Sequence, residues 1–306
     1  MATAAINVRG LLKSYGTVEA VRGVDFDVFE GEVFALLGPN GAGKTTIVEI
    51  LEGHRERTAG EVSVLGFDPA RADRALRSRI GIVLQSTGLN QYLTAAETIE
   101  LYRGFYPNPR PLDEVLEVVG LTEKRNERVR RLSGGQQRRL DVGIGLAGDP
   151  DLLFLDEPTT GFDPAARRGA WEMVKGLAAL GKTILLTTHY MDEAQALADR
   201  VAIIADGRIV AEGPPASLVG THERVTVIRF RLPGSAPPIP SALAAKATTS
   251  AAGVEITVPN PVPALHELTG WAMQNSVALE GLEVRRPSLE DVYLELTKDA
   301  TRKDEG

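Results

Sequence analysis

Residues 32–53, EVFALLGPNGAGKTTIVEILEG, constrain the fold more than any other stretch of the chain. An apolar run of strand length meets a glycine-rich turn, and the turn opens a segment whose Ile47, Ile50 and Leu51 share one helical face. GPNGAGKT, at residues 38–45, fits the phosphate-loop pattern GxxxxGK(S/T). Its glycines let the backbone wrap an anion with its N–H groups turned inward. Lys44 brings a cation to the β and γ phosphates of a nucleotide, and Thr45 offers a hydroxyl to Mg²⁺. The candidate phosphate contacts are therefore Gly38, Pro39, Asn40, Gly41, Ala42, Gly43, Lys44, Thr45 and Thr46.

The pattern does not suffice by itself, because GLAALGKT at residues 176–183 matches it too. That copy follows a helical pattern and precedes the apolar run TILLTTH, so its glycine reads as a helix C-cap instead of a phosphate cradle. GIGLAG, at residues 143–148, matches the dinucleotide pattern GxGxxG but follows RRLDV and not a strand. It reads as small residues packing a helix closely. Each glycine inside a helix costs about 1 kcal/mol relative to alanine, which predicts a soft helix there.

DLLFLDEP, at residues 151–158, ends an apolar strand with Asp156 and Glu157. Ligands of α/β sheets bind beside the carboxyl ends of strands, so both carboxylates are expected near the phosphates. Asp156 suits the Mg²⁺ shell, and Glu157 is placed to polarise a water for in-line attack on a γ phosphate. TTHYMDEA puts His189 just past another buried strand at the same sheet edge. His54, His222 and His266 read as packed or solvated side chains. Gln85, after IGIVL, carries little signal alone. RLSGGQQRRL, at residues 131–140, offers Ser133, Gly134, Gly135 and Gln136 at what reads as a helix start, a second place able to bind phosphate.

Around these motifs the first forty residues alternate β-like runs with turns, suggesting antiparallel strands that feed a buried one. Residues 89–145 are mostly helical in pattern, interrupted at Pro107, Pro109 and Pro111. VAIIA and RIVAE flank Asp206-Gly207, a hairpin turn. Near residue 221 the pattern changes to RVTVIRFRL, VEITV, PALHELTGWAMQ, EGLEVRR and SLEDVYLELT, which reads as a small α+β appendage. Domains are expected at 1–220 and 221–306. The net charge of −7 argues against a broad nucleic-acid footprint, which needs clustered Lys and Arg. Without cysteine the chain has no disulfides or thiolate metal sites. No apolar run approaches the roughly 20 residues that span a bilayer, so a membrane role needs a partner chain.

GPNGAGKTT, Gln85, LSGGQ, LLFLDEP, TGFDP and TTH occur in the order and spacing of ATP-binding cassette (ABC) ATPases, which the chain resembles over residues 5–218. The C-terminal part, SLEDVYLELT above all, resembles the appendage of ABC-2-type exporters, the group that includes the daunorubicin-resistance type. The resemblance implies an α/β fold: a phosphate-loop NTPase core with an antiparallel β subdomain, a helical subdomain at about 89–145 and the C-terminal appendage. It implies ATP and Mg²⁺ as ligands and a head-to-tail pair of cassettes. Ser133 and Gly135 would then face the γ phosphate held by the partner subunit's loop. Tyr15 would stack on adenine, Gln85 would sense Mg²⁺ or the attacking water, His189 would contact the γ phosphate, and Asp163 would cross the dimer interface. Phe162 departs from the usual leucine. The implied protein is a cytoplasmic ATPase subunit on the inner face of the cell membrane, held there by an ABC-2-type permease on a separate chain. The permease would export a drug-like, lipid or other hydrophobic compound. An import ATPase would use the same residues. A soluble cassette acting on ribosomes or DNA typically has two cassettes, coiled-coil arms or zinc-binding cysteines, and this chain has one LSGGQ and none of those.

Overall fold

The computed structural model describes residues 3–71, 73–84, 88–220, 226–234, 236–250, 253–285, 289, 291 and 293. The chain divides into two compact units, Met1–Pro215 and Ala216–Gly306. In the first, β1 (Ala4–Tyr15) and β2 (Val18–Phe29) form an antiparallel pair. Val24, Phe26 and Val28 alternate inward along β2, the period of a strand with one buried face. Next come β3 (Val33–Leu37), α1 (Lys44–Leu51) and β4 (Ala59–Val64). β4 joins the other edge of β1, giving the sheet order β2-β1-β4. β4 is absent from the sequence reading, because AGEVSV has too little apolar content to stand out.

After α2 (Arg74–Arg77) and β5 (Ile80–Val83), the chain enters a helical region made of α3 (Ala95–Arg103), α4 (Leu112–Val118) and α5 (Gly134–Leu146). Thr94 and Glu97 build a capping box at the start of α3, and Pro111 sits at the N-cap of α4. The core sheet is completed by β6 (Leu152–Asp156), α6 (Pro164–Ala179), β7 (Thr183–Thr188), α7 (Met191–Leu197), β8 (Arg200–Ala205) and β9 (Arg208–Gly213). Its strand order is β5-β6-β7-β3-β8-β9, parallel except for β9. β3 and β7 are buried at every residue, as strands covered on both faces must be. Asp206 and Gly207 both take positive φ, the geometry of a tight hairpin turn.

The close packing read from the glycines after LSGGQ has specific partners in the structure. A Cβ on Gly145 would lie 2.9 Å from Val83 Cγ2, and one on Gly81 would lie 2.2 Å from the Gly145 carbonyl oxygen. α5 therefore approaches β5 backbone to backbone, and alanine at Gly145 would collide with the sheet. Gly148 lies past the end of α5, where a Cβ would meet the Tyr106 ring.

In the second unit, which α8 (Pro215–Gly220) enters, β10 (Thr226–Arg231), α9 (Ser241–Ala244), β11 (Ala247–Ser250), β12 (Gly253–Val258), α10 (Pro261–Gln274) and β13 (Glu280–Arg285) follow. The antiparallel order is β11-β12-β10-β13, and Ile228, Phe230, Ile256 and Leu268 are central to its core. SLEDVYLELT, the last segment of the expected α+β appendage, falls mostly outside the described residues. Among the described residues, no helix is long and apolar enough to cross a membrane.

Candidate functional site

β6, β7 and β3 are neighbours, so their carboxyl ends bring Asp156, Glu157, His189 and the loop after Leu37 to one edge of the sheet. Gly43 joins that loop to α1 with φ 104, and a Cβ there would sit 2.5 Å from the Ala20 carbonyl oxygen. Only glycine satisfies both demands. Lys44 opens the helix and is 5% exposed. Its Nζ donates to the carbonyls of Gly38 (2.8 Å) and Pro39 (3.0 Å) and lies 3.8 Å from Glu157 Oε1. Burial pushes the ammonium below its ordinary pKa, while the Glu157 and Asp156 carboxylates oppose the shift. Asn40, Gly41, Lys44, Thr45, Thr46 and Glu157 line a cavity of about 300 Å³.

Thr187, which the sequence reading missed, organises the two carboxylates. Its hydroxyl donates to Asp156 Oδ1 (2.5 Å) and accepts from the Glu157 N–H (3.0 Å). Glu157 has φ 44, a left-handed conformation that non-glycine residues rarely adopt. Thr160 Oγ1 donates to its Oε2 at 2.9 Å. His189 Nδ1 lies 3.3 Å from Glu157 Oε1 but is not aligned for a hydrogen bond, so the nitrogen is buried without one. The His189 ring packs on Tyr190 (4.0 Å between centroids), and the Arg167 guanidinium lies 4.1 Å over Tyr190. On α7, Glu193 is fully buried and accepts from Thr159 Oγ1 (2.7 Å) and Trp171 Nε1 (3.2 Å). Burial raises its pKa, and those two donors, with Thr188, oppose the rise. In the sequence it reads as a surface acid of an amphipathic helix, and nothing there distinguishes it.

The other predicted residues lie elsewhere. Ser133, Gly134, Gly135, Gln136 and Asp163 line a separate cavity of about 580 Å³ between α5 and α6. Ser133 is the N-cap of α5: its Oγ accepts from Gln136 N–H (3.3 Å), and its own N–H donates to Gln136 Oε1 (2.9 Å). Asp163 caps α6, with Oδ1 accepting from the N–H groups of Ala165 and Ala166 at 2.8 Å each. Within one chain it is thus a helix cap. Tyr15 ends β1, is 41% exposed, and has Lys13 Nζ and the Arg55 guanidinium 5.0 and 5.3 Å from its ring centroid. It does not line the Lys44 cavity. Gln85 lies outside the described residues.

A family model described as ABC transporter matches residues 21–160, and another, described as ABC transporter domain-containing protein-like, C-terminal domain, matches residues 226–288. The Nod factor export ATP-binding protein I of Rhizobium sp. (strain N33) is 41% identical, over 97% of this chain and 98% of that one. The chain belongs to the ABC transporter family. Daunorubicin resistance ATP-binding protein DrrA3 of Streptomyces coeruleorubidus is 36% identical over 99% of this ABC chain and 98% of its own. An ATP-binding cassette solved as a dimer in a post-hydrolysis state, bound to ADP and Pi, is 28% identical with a TM-score of 0.61, covering 68% of this chain and 98% of that one. The two-sheet core with its helical region is the ABC ATPase fold, and the chain is an ATPase of that family.

Proposed function

We propose that this ABC ATPase works as a dimer on Mg-ATP, at the inner face of the cell membrane, and drives export through an ABC-2-type permease on a separate chain. The observation that carries the dimer is the separation of two half-sites. The Lys44 cavity holds the phosphate loop and Glu157, and the Ser133 cavity holds the N-terminus of α5. Two copies head to tail would complete both, placing the positive helix end and the Ser133 hydroxyl against the partner's γ phosphate. The family names for export and drug resistance, borne by relatives matched over nearly their whole length, support the direction and a drug-like, lipid or other hydrophobic cargo.

Bound ATP would draw the Lys44 ammonium from the Gly38 and Pro39 carbonyls onto phosphate oxygens, a stronger, charge-assisted contact. The Thr45 hydroxyl and the Asp156 carboxylate are oxygen donors of the kind Mg²⁺ takes, and Mg²⁺ sites commonly use one carboxylate together with substrate phosphates. Thr45, Asp156 and Gln85 would hold it, and it would offset charge on the β and γ phosphates. Glu157 accepts a proton from a water whose oxygen attacks the γ phosphorus. The bond from that phosphorus to the β–γ bridging oxygen breaks, and ADP leaves with the electron pair. His189, its side chain 29% exposed beside Glu157, would donate a ring N–H to a γ-phosphate oxygen. Tyr15 would stack on the adenine.

Glu157→Gln tests the assignment, since it keeps the side chain's shape and removes the base. Turnover by the purified chain should fall about a hundredfold or more, while ATP still binds and holds a dimer on size exclusion. Normal turnover would sink the reading.

A further inference from the structure

Arg138 is a buried charge with no task in the chemistry above. It follows the Ser133–Gln136 capping box on α5 and is 7% exposed. All three guanidinium nitrogens donate to backbone carbonyls: Nε to Pro158 (3.2 Å), Nη2 to Asp156 (3.0 Å) and Nη1 to Leu84 at the end of β5. Asp141 Oδ2 is 3.9 Å away. Burial pushes the guanidinium below its ordinary pKa, with Asp141, Asp156 and Glu193 opposing. Burying a cation among neutral carbonyls is costly unless each of its donors is bonded.

Asp156 and Pro158 are the residues on either side of Glu157, whose φ of 44 persists only because its surroundings impose it. We infer that Arg138 is a positioning residue for ATP hydrolysis: bonded to the carbonyls that bracket Glu157, it holds that backbone so that the carboxylate faces Lys44. A planar fork reaches both carbonyls and the end of β5 at once, which a single ammonium does not. The clamp has a firm base, because α5 meets β5 backbone to backbone at Gly145 and Gly81. The inference rests on reading Glu157 as the general base.

The alternative is that Arg138 merely supports the Ser133 end of α5, and a double-mutant cycle separates the two. Arg138→Gln and Arg138→Lys are made in the full chain, alone and with Glu157→Gln, and ATP affinity, kcat and KM are measured for each. If Arg138 acts through Glu157, Arg138→Gln lowers kcat about 10- to 100-fold, with ATP affinity held within about threefold. Arg138→Lys recovers little of that loss. In the Glu157→Gln background the same substitution removes nothing further from the residual turnover, since the group it positions is already gone. Losses that multiply in that background overturn the inference, and so does an unchanged kcat. Normal turnover by Glu157→Gln alone overturns the base assignment, and the inference with it, and that single variant tells the two failures apart. Should Arg138→Gln fail to fold, the cycle is run with Arg138→Lys.

Discussion

Residues 38–45 and 176–183 share the pattern GxxxxGKT, but in the first the lysine opens a helix and in the second it follows the end of one. The glycine before each lysine takes positive φ, 104 at Gly43 and 77 at Gly181. The backbone demand is therefore common to both. Gly43 starts α1, whose free N–H groups and positive dipole end face the loop. Gly181 closes α6, and its N–H donates to the Ala178 carbonyl at 2.8 Å. A helix C-terminus presents carbonyls, and carbonyls repel phosphate. The pattern specifies a left-handed glycine beside a cation, and the direction of the attached helix decides whether the pair binds an anion.

The two lysines give the largest test of that contrast. Lys44→Ala would remove the proposed charge partner of the β and γ phosphates, and we expect ATP affinity to weaken and turnover to fall about a hundredfold or more. Lys182 Nζ pairs instead with Asp149 at 2.8 Å, a half-exposed carboxylate. Lys182→Ala should leave ATP affinity unchanged and cost no more than about 1 kcal/mol of stability. Equilibrium nucleotide binding and thermal unfolding of both variants check this. A comparable affinity loss at Lys182 would break the comparison.

The same contrast explains how much of the site could be read from sequence. Lys44, Asp156, Glu157 and His189 stood out because apolar strands deliver them, and strand order needed no side-chain detail. Thr187 sits inside a strand that reads as plain core, and its hydroxyl's two bonds depend on the register of β6 against β7. Arg138 reads as a solvated charge beside Arg139, and only the approach of α5 to the sheet buries it. Gly143 and Gly145 were legible as close-packing residues, but what they packed against was not. In the second unit, Ala247–Ser250 has no apolar alternation, so β11 is fixed by its partner β12 and not by its own pattern.

The helix that the first loop opens also buries a carboxylate at its far end. Glu52 is the C-cap of α1, its side chain 2% exposed, with His54 Nδ1 at 3.2 Å from its Oε2. Burial first, and then the Asp156 and Glu49 charges, push the Glu52 carboxyl from 4.5 up to about 8. Between those values the folded chain binds more protons than the unfolded one. Stability is therefore fully present below the unfolded value and declines as pH rises through the window. Glu52→Gln, an isostere of the neutral acid, should remove that decline, raising stability by about 4 kcal/mol at pH 8 and by no more than about 1 kcal/mol at pH 5. Thermal unfolding at the two pH values measures it, and an equal effect at both would show that the carboxyl is not held neutral.

Gly176 gives the smallest effect and isolates the helix from the pattern. It opens the second match, yet lies inside α6, exposed, and a Cβ there would meet nothing within 4 Å. Glycine in a helix interior is less favourable than alanine by about 0.5–1 kcal/mol. Gly176→Ala should therefore stabilise the chain by up to that amount, seen as a small rise in the thermal midpoint. Gly181→Ala, which forces a side chain into the left-handed region, should lower it. If residues 176–183 cradled a phosphate, alanine at the first glycine would weaken nucleotide binding whatever it did to the helix. A variant with a raised midpoint and unchanged ATP affinity assigns Gly176 to the helix alone, whereas weakened binding would return these residues to the list of phosphate sites.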